Sequence, residues 1–126
     1  MKVEVSIGEV VDKVTILSIK VEKFQNEAKR ANAKKEYDAL VLDIIAIGIT
    51  PELDEYKRLR AINVVLWNIE DSIRVKEKNG EFDDEFIRLA RSVYFENDTR
   101  AEIKKEINIK YASDFVEEKE YVDYKG

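Results

Sequence analysis

Apolar residues recur at alternating spacings of three and four along most of this chain. After Ser6 the series is Ile7, Val10, Val14, Leu17, Val21 and Phe24. Similar series occur within residues 33–47, 59–73 and 86–93. Such spacings place side chains on one face of an α-helix, because a helix has about 3.6 residues per turn. The sequence therefore predicts four amphipathic helices whose apolar faces pack against one another.

Start and stop signals mark where these helices begin and end. Ser6 and Glu9 fit a capping box, in which each side chain bonds the backbone N–H of the other residue. Gly48 suits the left-handed position that follows a helix. The pair Thr50-Pro51 then predicts that the third helix starts at once, with the threonine as N-cap. So short a connection predicts that the second and third helices are antiparallel.

The third and fourth helices are longer than the first two. The third would extend from residue 51 to 78, a length of about 42 Å, and Asp83 or Asp84 would cap the fourth. Either the fourth helix continues past Asn97, forming a long hairpin with the third, or it breaks there. In a continuous hairpin the apolar faces at the far end would have no other helix to pack against. A second copy of the chain is the simplest partner for them.

We therefore predict an all-α fold, an antiparallel helical bundle preceded by a short extended N-terminal arm. The bundle has four helices, or five if the fourth breaks at Asn97-Asp98. The length of 126 residues fits one domain, so residues 1–126 are predicted to form a single helical-bundle domain.

Composition excludes several classes of function. The chain has no Cys and no His, which removes disulfides, zinc sites with these ligands, and histidine acid–base chemistry. We therefore expect neither a cofactor nor a metal. The net charge of −5 argues against nucleic acid as a partner. The start of the chain lacks a signal-peptide pattern, and no apolar run is long enough for a membrane span, so we expect no membrane partner and a cytoplasmic location.

Polar residues interrupt the apolar face of the fourth helix. Asn97, Arg100 and Lys104 fall on the side that Val93 and Ile107 would bury. Buried charge must be paired or bound to a ligand, and Arg suits two-pronged binding of carboxylate or phosphate. With residues from the same region, the candidate anion-binding set is Arg74, Arg91, Asn97, Arg100, Lys104, Trp67 and Tyr94.

Three interpretations of this cluster remain open from the sequence. In the first, Arg74, Arg91 and Arg100 form internal ion pairs with Glu70, Asp71 and Asp98 that set the helix register. In the second, the helix breaks and Asp98 caps a new helix at Thr99. In the third, the cluster is a pocket for a small anion.

Two enzyme classes share limited features with the chain. The pair Glu9-x-x-Asp12 resembles half of the carboxylate pattern with which all-α nucleoside-triphosphate pyrophosphohydrolases hold Mg²⁺, but no second pair lies on a suitable helix. Inward Arg and Lys side chains, together with "VVDKVTILSIKVEK", resemble the all-α chorismate mutases. The arginine that those enzymes carry early in this helix is absent, since Lys2 and then Val10 and Val11 occupy that region.

The whole chain resembles a small uncharacterised family of bacteria and some phages, catalogued as a domain of unknown function. The resemblance rests on "SIGEVVDKVTILSIKVEK", "LWNIEDSIRVKE", "FIRLARSVYFENDTRAEIKKEIN" and "VEEKEY". It implies a stand-alone domain and supplies no activity. We therefore expect a non-catalytic accessory or interaction protein that acts as a homodimer and engages itself or a protein partner. The alternative is a small-anion binding protein or enzyme that uses the Arg/Lys cluster.

Overall fold

A computed structural model describes residues 1–125, which form four α-helices and no strand. The helices are α1 (Ile7–Lys23), α2 (Glu27–Ile45), α3 (Asp54–Lys78) and α4 (Asp84–Lys110). The all-α prediction is confirmed. Helix α4 runs unbroken through Asn97 and Asp98, so the predicted alternative of a fifth helix starting at Thr99 is wrong. None of the helices in this part of the chain is both long and apolar enough to cross a membrane.

Helix α1 lies at the centre of the bundle and packs against each of the other three helices. It forms a hairpin with α2 through the short turn at residues 24–26, while α3 and α4 form a longer hairpin through residues 79–83. Within the described residues, no Cα atom of α2 comes within 8 Å of one in α3 or α4. Helices α2 and α3 therefore do not pack closely side by side, because α2 covers α1 instead, and their antiparallel direction stays a prediction.

Interhelical contacts show how α1 lies on the α3–α4 hairpin. The contacts between α1 and α4 run from Gly8 beside Asn108 to Asp12 beside Arg100, so these two helices are antiparallel. Those between α1 and α3 follow no single order, since Asp12 lies beside Asn63 whereas Ser18 and Glu22, later in α1, both contact Arg60. Helix α1 therefore runs against α4 and crosses α3, lying across the open end of their hairpin.

All four helical segments contribute to the main hydrophobic core. Its fully buried members are Val11, Val14, Ile44, Ile49, Tyr56, Leu59, Ile103 and Ile107. Burying an aliphatic side chain of this size contributes about 1.5–3 kcal/mol. In α3 and α4 these residues lie near the start of α3 and the end of α4, so the core occupies one end of the long hairpin.

The helix ends confirm some of the predicted signals and correct others. Ser6 Oγ accepts a hydrogen bond from the backbone N–H of Glu9 at 3.2 Å, and Gly48 has a φ of 90°. The Glu9 carboxylate, however, accepts from Lys104 rather than from the Ser6 backbone, because that ammonium approaches from α4. Helix α3 begins at Asp54 and not at Pro51, since residues 51–53 form a turn that packs Leu53 against the core.

Gly8 permits the closest approach between α1 and α4. Its backbone N–H donates to Asn108 Oδ1 at 2.6 Å. A Cβ atom at this position would lie 2.6 Å from the backbone carbonyl oxygen of Lys104. The absence of a side chain therefore sets the distance between the two helices.

We expect Gly8→Ala to lower the free energy of unfolding by about 1–3 kcal/mol, because an overpacked contact forces backbone to move. Alanine is the better helix former by about 1 kcal/mol, so propensity alone predicts the opposite sign. Chemical denaturation measures the change. Ser72→Ala, at an exposed position of α3, is the control and should leave stability nearly unchanged. A stabilised Gly8→Ala protein would contradict the close approach.

A buried carboxylate fastens the start of α3 to the end of α4. Glu55 Oε1 accepts hydrogen bonds from Lys110 Nζ and from the Tyr111 hydroxyl, both at 2.7 Å. The bond from Lys110 and then that from Tyr111 lower the pKa of Glu55 from 4.5 to about 2. The folded protein therefore favours the ionised form of this carboxylate more strongly than the unfolded chain does.

The contribution of Glu55 to stability should be complete above about pH 4.5 and should be lost as the pH falls toward about 2. The sign follows from linkage, because the unfolded chain takes up the proton first. We expect Glu55→Gln to reduce the slope of stability against pH within this window. Urea denaturation at a series of pH values measures that slope. An unchanged slope would show that Glu55 carries no such linkage.

Candidate functional site

A network of polar side chains joins α1, α3 and α4 beside the core. Its centre is Asp12, whose side chain is 2% exposed. Asp12 Oδ1 accepts from Asn63 Nδ2 at 2.8 Å and from Arg100 Nε at 2.9 Å, while Arg100 Nη2 donates to Asp12 Oδ2. Asn63 also donates to Thr15 Oγ1 at 2.9 Å. The buried carboxylate is therefore held by a two-pronged guanidinium and an amide.

Arg100 comes from the polar stretch in the middle of α4. Its side chain is 28% exposed, and the hydrogen bonds with Asp12 raise its pKa. Thr15 completes the network by donating its hydroxyl proton to the backbone carbonyl of Asp12 at 2.7 Å. Every buried side-chain nitrogen or oxygen among the described residues has a hydrogen-bond partner.

A second ion pair lies one turn further along α4. Lys104 Nζ donates to Glu9 Oε2 at 2.7 Å and to Glu117 Oε2 at 2.8 Å, and its side chain is 8% exposed. Burial alone would lower the pKa of Lys104, but the bonds to Glu117 and Glu9 raise it. This ammonium therefore fastens α1 and the C-terminal segment to α4.

The sequence prediction missed the acidic half of this network. The first interpretation paired Arg100 with Asp98, whereas its partner is Asp12, and Asp98 instead accepts from the Tyr124 hydroxyl. A usable signal was present. Glu9 and Asp12 are three residues apart on α1, and Arg100 and Lys104 are four residues apart on α4. Antiparallel packing of the two helices pairs Glu9 with Lys104 and Asp12 with Arg100. The sequence alone does not show how the helices pack, so Glu9 and Asp12 could be compared only with a metal-binding motif.

The other predicted residues do not all meet in one place. Trp67 is half-buried, with its ring centroid 6.0 Å from that of Phe24. Arg74 is exposed and pairs with Glu70 one turn away at 3.3 Å. Tyr94 is exposed and packs beside Phe95 on α4. Arg91 is exposed and has no ion-pair partner within residues 1–125.

Four of the seven candidate residues line a cleft between α3 and α4, which we call the distal groove. Its volume is about 490 Å³, and it lies where α1 leaves the hairpin. Residues from α1, α3 and α4 line it: Ile16, Asn63, Leu66, Trp67, Glu70, Asp71, Arg74, Val93, Asn97 and Arg100. Two acids and two bases among them balance in charge, and both bases already have carboxylate partners.

Carboxylates are not grouped for metal binding in the described part of the chain. Residues 1–125 contain no set of three or more acidic side chains that could hold an ion. Glu9 and Asp12, the pair compared with the pyrophosphohydrolase pattern, instead bind Lys104 and Arg100. The geometry is that of an interhelical lock, in which Arg100 and Lys104 on α4 are each neutralised by an acid on α1. Anion binding by the seven candidate residues stays a prediction.

We expect Arg100→Ala to lower the free energy of unfolding by roughly 3–5 kcal/mol, because it leaves Asp12 buried without its partner. Asp12→Leu combined with Arg100→Met should lower the free energy of unfolding by less than Arg100→Ala alone, because it leaves no buried charge without a partner. Arg74→Ala is the matched control, since it removes an exposed pair worth about 0.3–0.5 kcal/mol. Thermal and urea unfolding measure these changes. An Arg100→Ala protein with normal stability would favour the ligand pocket over the lock.

Comparison with known proteins adds one family to these observations. Residues 1–124 match a family described as a family of unknown function (DUF6165), in agreement with the resemblance noted from the sequence. A search of curated proteins found no match. A search of solved structures also found none. This helical-bundle chain, with its lock between α1 and α4, belongs to the DUF6165 family.

Proposed function

We propose that this protein is a non-catalytic, cytoplasmic interaction protein that acts as a homodimer through the far part of its α3–α4 hairpin. One observation carries the proposal. No residue between Val64 and Glu102 is buried, although this stretch includes most of both long helices. Amphipathic helices reach a stable packing by burying their apolar face against a further element. We call residues 64–102 the distal hairpin.

The apolar residues of the distal hairpin support this proposal. Leu66, Ile69 and Ile73 continue the apolar face whose earlier member, Leu59, lies in the core. On α4, Phe86 and Val93 continue the face of Ile103 and Ile107. All five distal residues are partly exposed. The groove that α1 fills near the core therefore continues without cover toward the tip of the hairpin.

A second copy of the chain is the occupant that this surface fits best. Two hairpins laid groove to groove would complete a four-helix layer of the kind found in bundles. Each groove would bury the same residues, which is the property of a two-fold contact. The absence of Cys and His, and the neutralised bases at the lock, support a role in binding and not in catalysis.

We expect Val93→Glu to raise the dissociation constant of the dimer at least about tenfold, because it places a charge in the apolar part of the contact. Ser72→Glu adds the same charge at an exposed position of α3 outside the groove and is the matched control. Sedimentation velocity over a series of protein concentrations measures the association. Circular dichroism shows whether both variants keep their helix content.

The proposal fails if the wild-type chain is monomeric at every concentration at which it stays soluble. It also fails if Val93→Glu and Ser72→Glu associate equally well. A melting-temperature screen against phosphates, nucleotides and dicarboxylates tests the small-anion alternative. A shift that Arg100→Ala abolishes, without a loss of stability, would favour that alternative over the dimer.

A further inference from the structure

The C-terminal segment is fixed to α4 at two separated points. We call residues 113–125 the strap. Near its start, Glu117 accepts a hydrogen bond from Lys104. Near its end, the ring of Tyr124 stands edge-on to Tyr94 and Phe95, with centroid distances of 4.7 and 5.0 Å, and its hydroxyl donates to Asp98. The strap is therefore held along the outer side of α4 although it has no helix of its own.

Between these two points the strap presents apolar side chains to solvent. Tyr121 is 74% exposed and Val122 is 87% exposed. Both side chains lie on a segment whose ends are held, so their outward position is set by the attachments on either side. Aromatic residues in such positions are enriched in protein interfaces, where they provide large contact areas.

The strap adjoins the distal groove. Together with α4 it lines an open cleft of about 690 Å³, whose lining includes Tyr121, Val122 and Tyr124. Asn97 and Arg100 line this cleft and also the distal groove. Tyr121 and Val122 therefore stand at the rim of the surface on which the second copy is proposed to dock.

The size of the groove leaves room for a contribution from this rim. The part of α3 from Val64 to Lys78 is about 22 Å long, and two helices side by side are about 20 Å wide. Their flat footprint is therefore roughly 450 Å². A stable contact buries about 800 Å² on each partner. Surface adjoining the groove would add to the buried area, and the adjoining strap contributes the exposed side chains of Tyr121 and Val122.

We propose that Tyr121 and Val122 form the rim of the dimer contact and pack against the second copy of the chain. This inference rests on the proposed function and names further residues of the same interface. The attachments at Glu117 and Tyr124 act by holding the two side chains toward the partner. The strap is thereby a part of the interaction surface.

The test compares dimer dissociation constants by sedimentation velocity. We expect Tyr121→Ser combined with Val122→Ser to raise the dissociation constant about tenfold, as the loss of two apolar interface contacts does. Leu42→Ser combined with Ile45→Ser is the matched control, because it removes two exposed apolar side chains from α2. This control should leave the dissociation constant unchanged.

A third variant distinguishes the effect of the strap's attachment to α4 from the effect of its two exposed apolar side chains. Tyr124→Ala removes the contact with Tyr94 and Phe95 but keeps Tyr121 and Val122. We expect it to weaken the dimer as well, by several-fold, because the rim is no longer held in place. Thermal unfolding of each variant shows that the main core is intact.

The outcomes separate this inference from the proposed function. A wild-type dimer that Val93→Glu dissociates, but that the three strap substitutions leave unchanged, overturns the inference alone. A monomeric wild-type chain overturns both. Dissociation by the α2 control variant would place the contact on α2 and would also overturn both. The inference is supported if the strap variants weaken the dimer and the α2 variant does not.

Discussion

The burial of Asp12 is the constraint on which the arrangement of the three inner helices depends. A carboxylate that is 2% exposed must find partners, since an isolated buried charge costs far more than a bundle of this size can offset. Its partners come from α3 and α4, so the network is satisfied in one register of the three helices. Gly8 lets α1 approach closely enough to reach them. The lock thus specifies how the helices meet, while the apolar core beside it supplies most of the stabilisation.

Much of the architecture could be predicted because it depends on local chemistry. Spacings of three and four residues locate every helix, and the side chain of Ser6 and the positive φ of Gly48 confirm two predicted helix ends. The start of α3 was misplaced because Thr50-Pro51 is a good local start signal. The burial of Ile49 and the packing of Leu53 instead favour a turn there. A local preference was overruled by contacts that a sequence pattern does not contain.

The candidate site could be predicted in part only, for a related reason. Arg100 and Lys104 stand out because they interrupt an apolar face, and such interruptions are visible in a sequence. Their partners Asp12 and Glu9 are distant in the chain and resemble ordinary residues of a first helical turn. The pairing becomes apparent once α1 is known to lie antiparallel to α4. For the same reason, the placement of α2 against α1 could not be derived from the length of the loop that follows it.

Arg100 marks a boundary within α4. From this residue to the end of the helix, one face enters the core or the lock, and Ile103, Lys104, Ile107 and Asn108 are buried. Before Arg100 the helix is supported by α3 alone, apart from the strap on its outer side. A pair of helices without a third layer buries too little apolar surface to be as stable as the rest of the bundle. The polar stretch in the middle of α4 therefore separates a closed end, which holds the fold together, from an open end in which no residue between Val64 and Glu102 is buried.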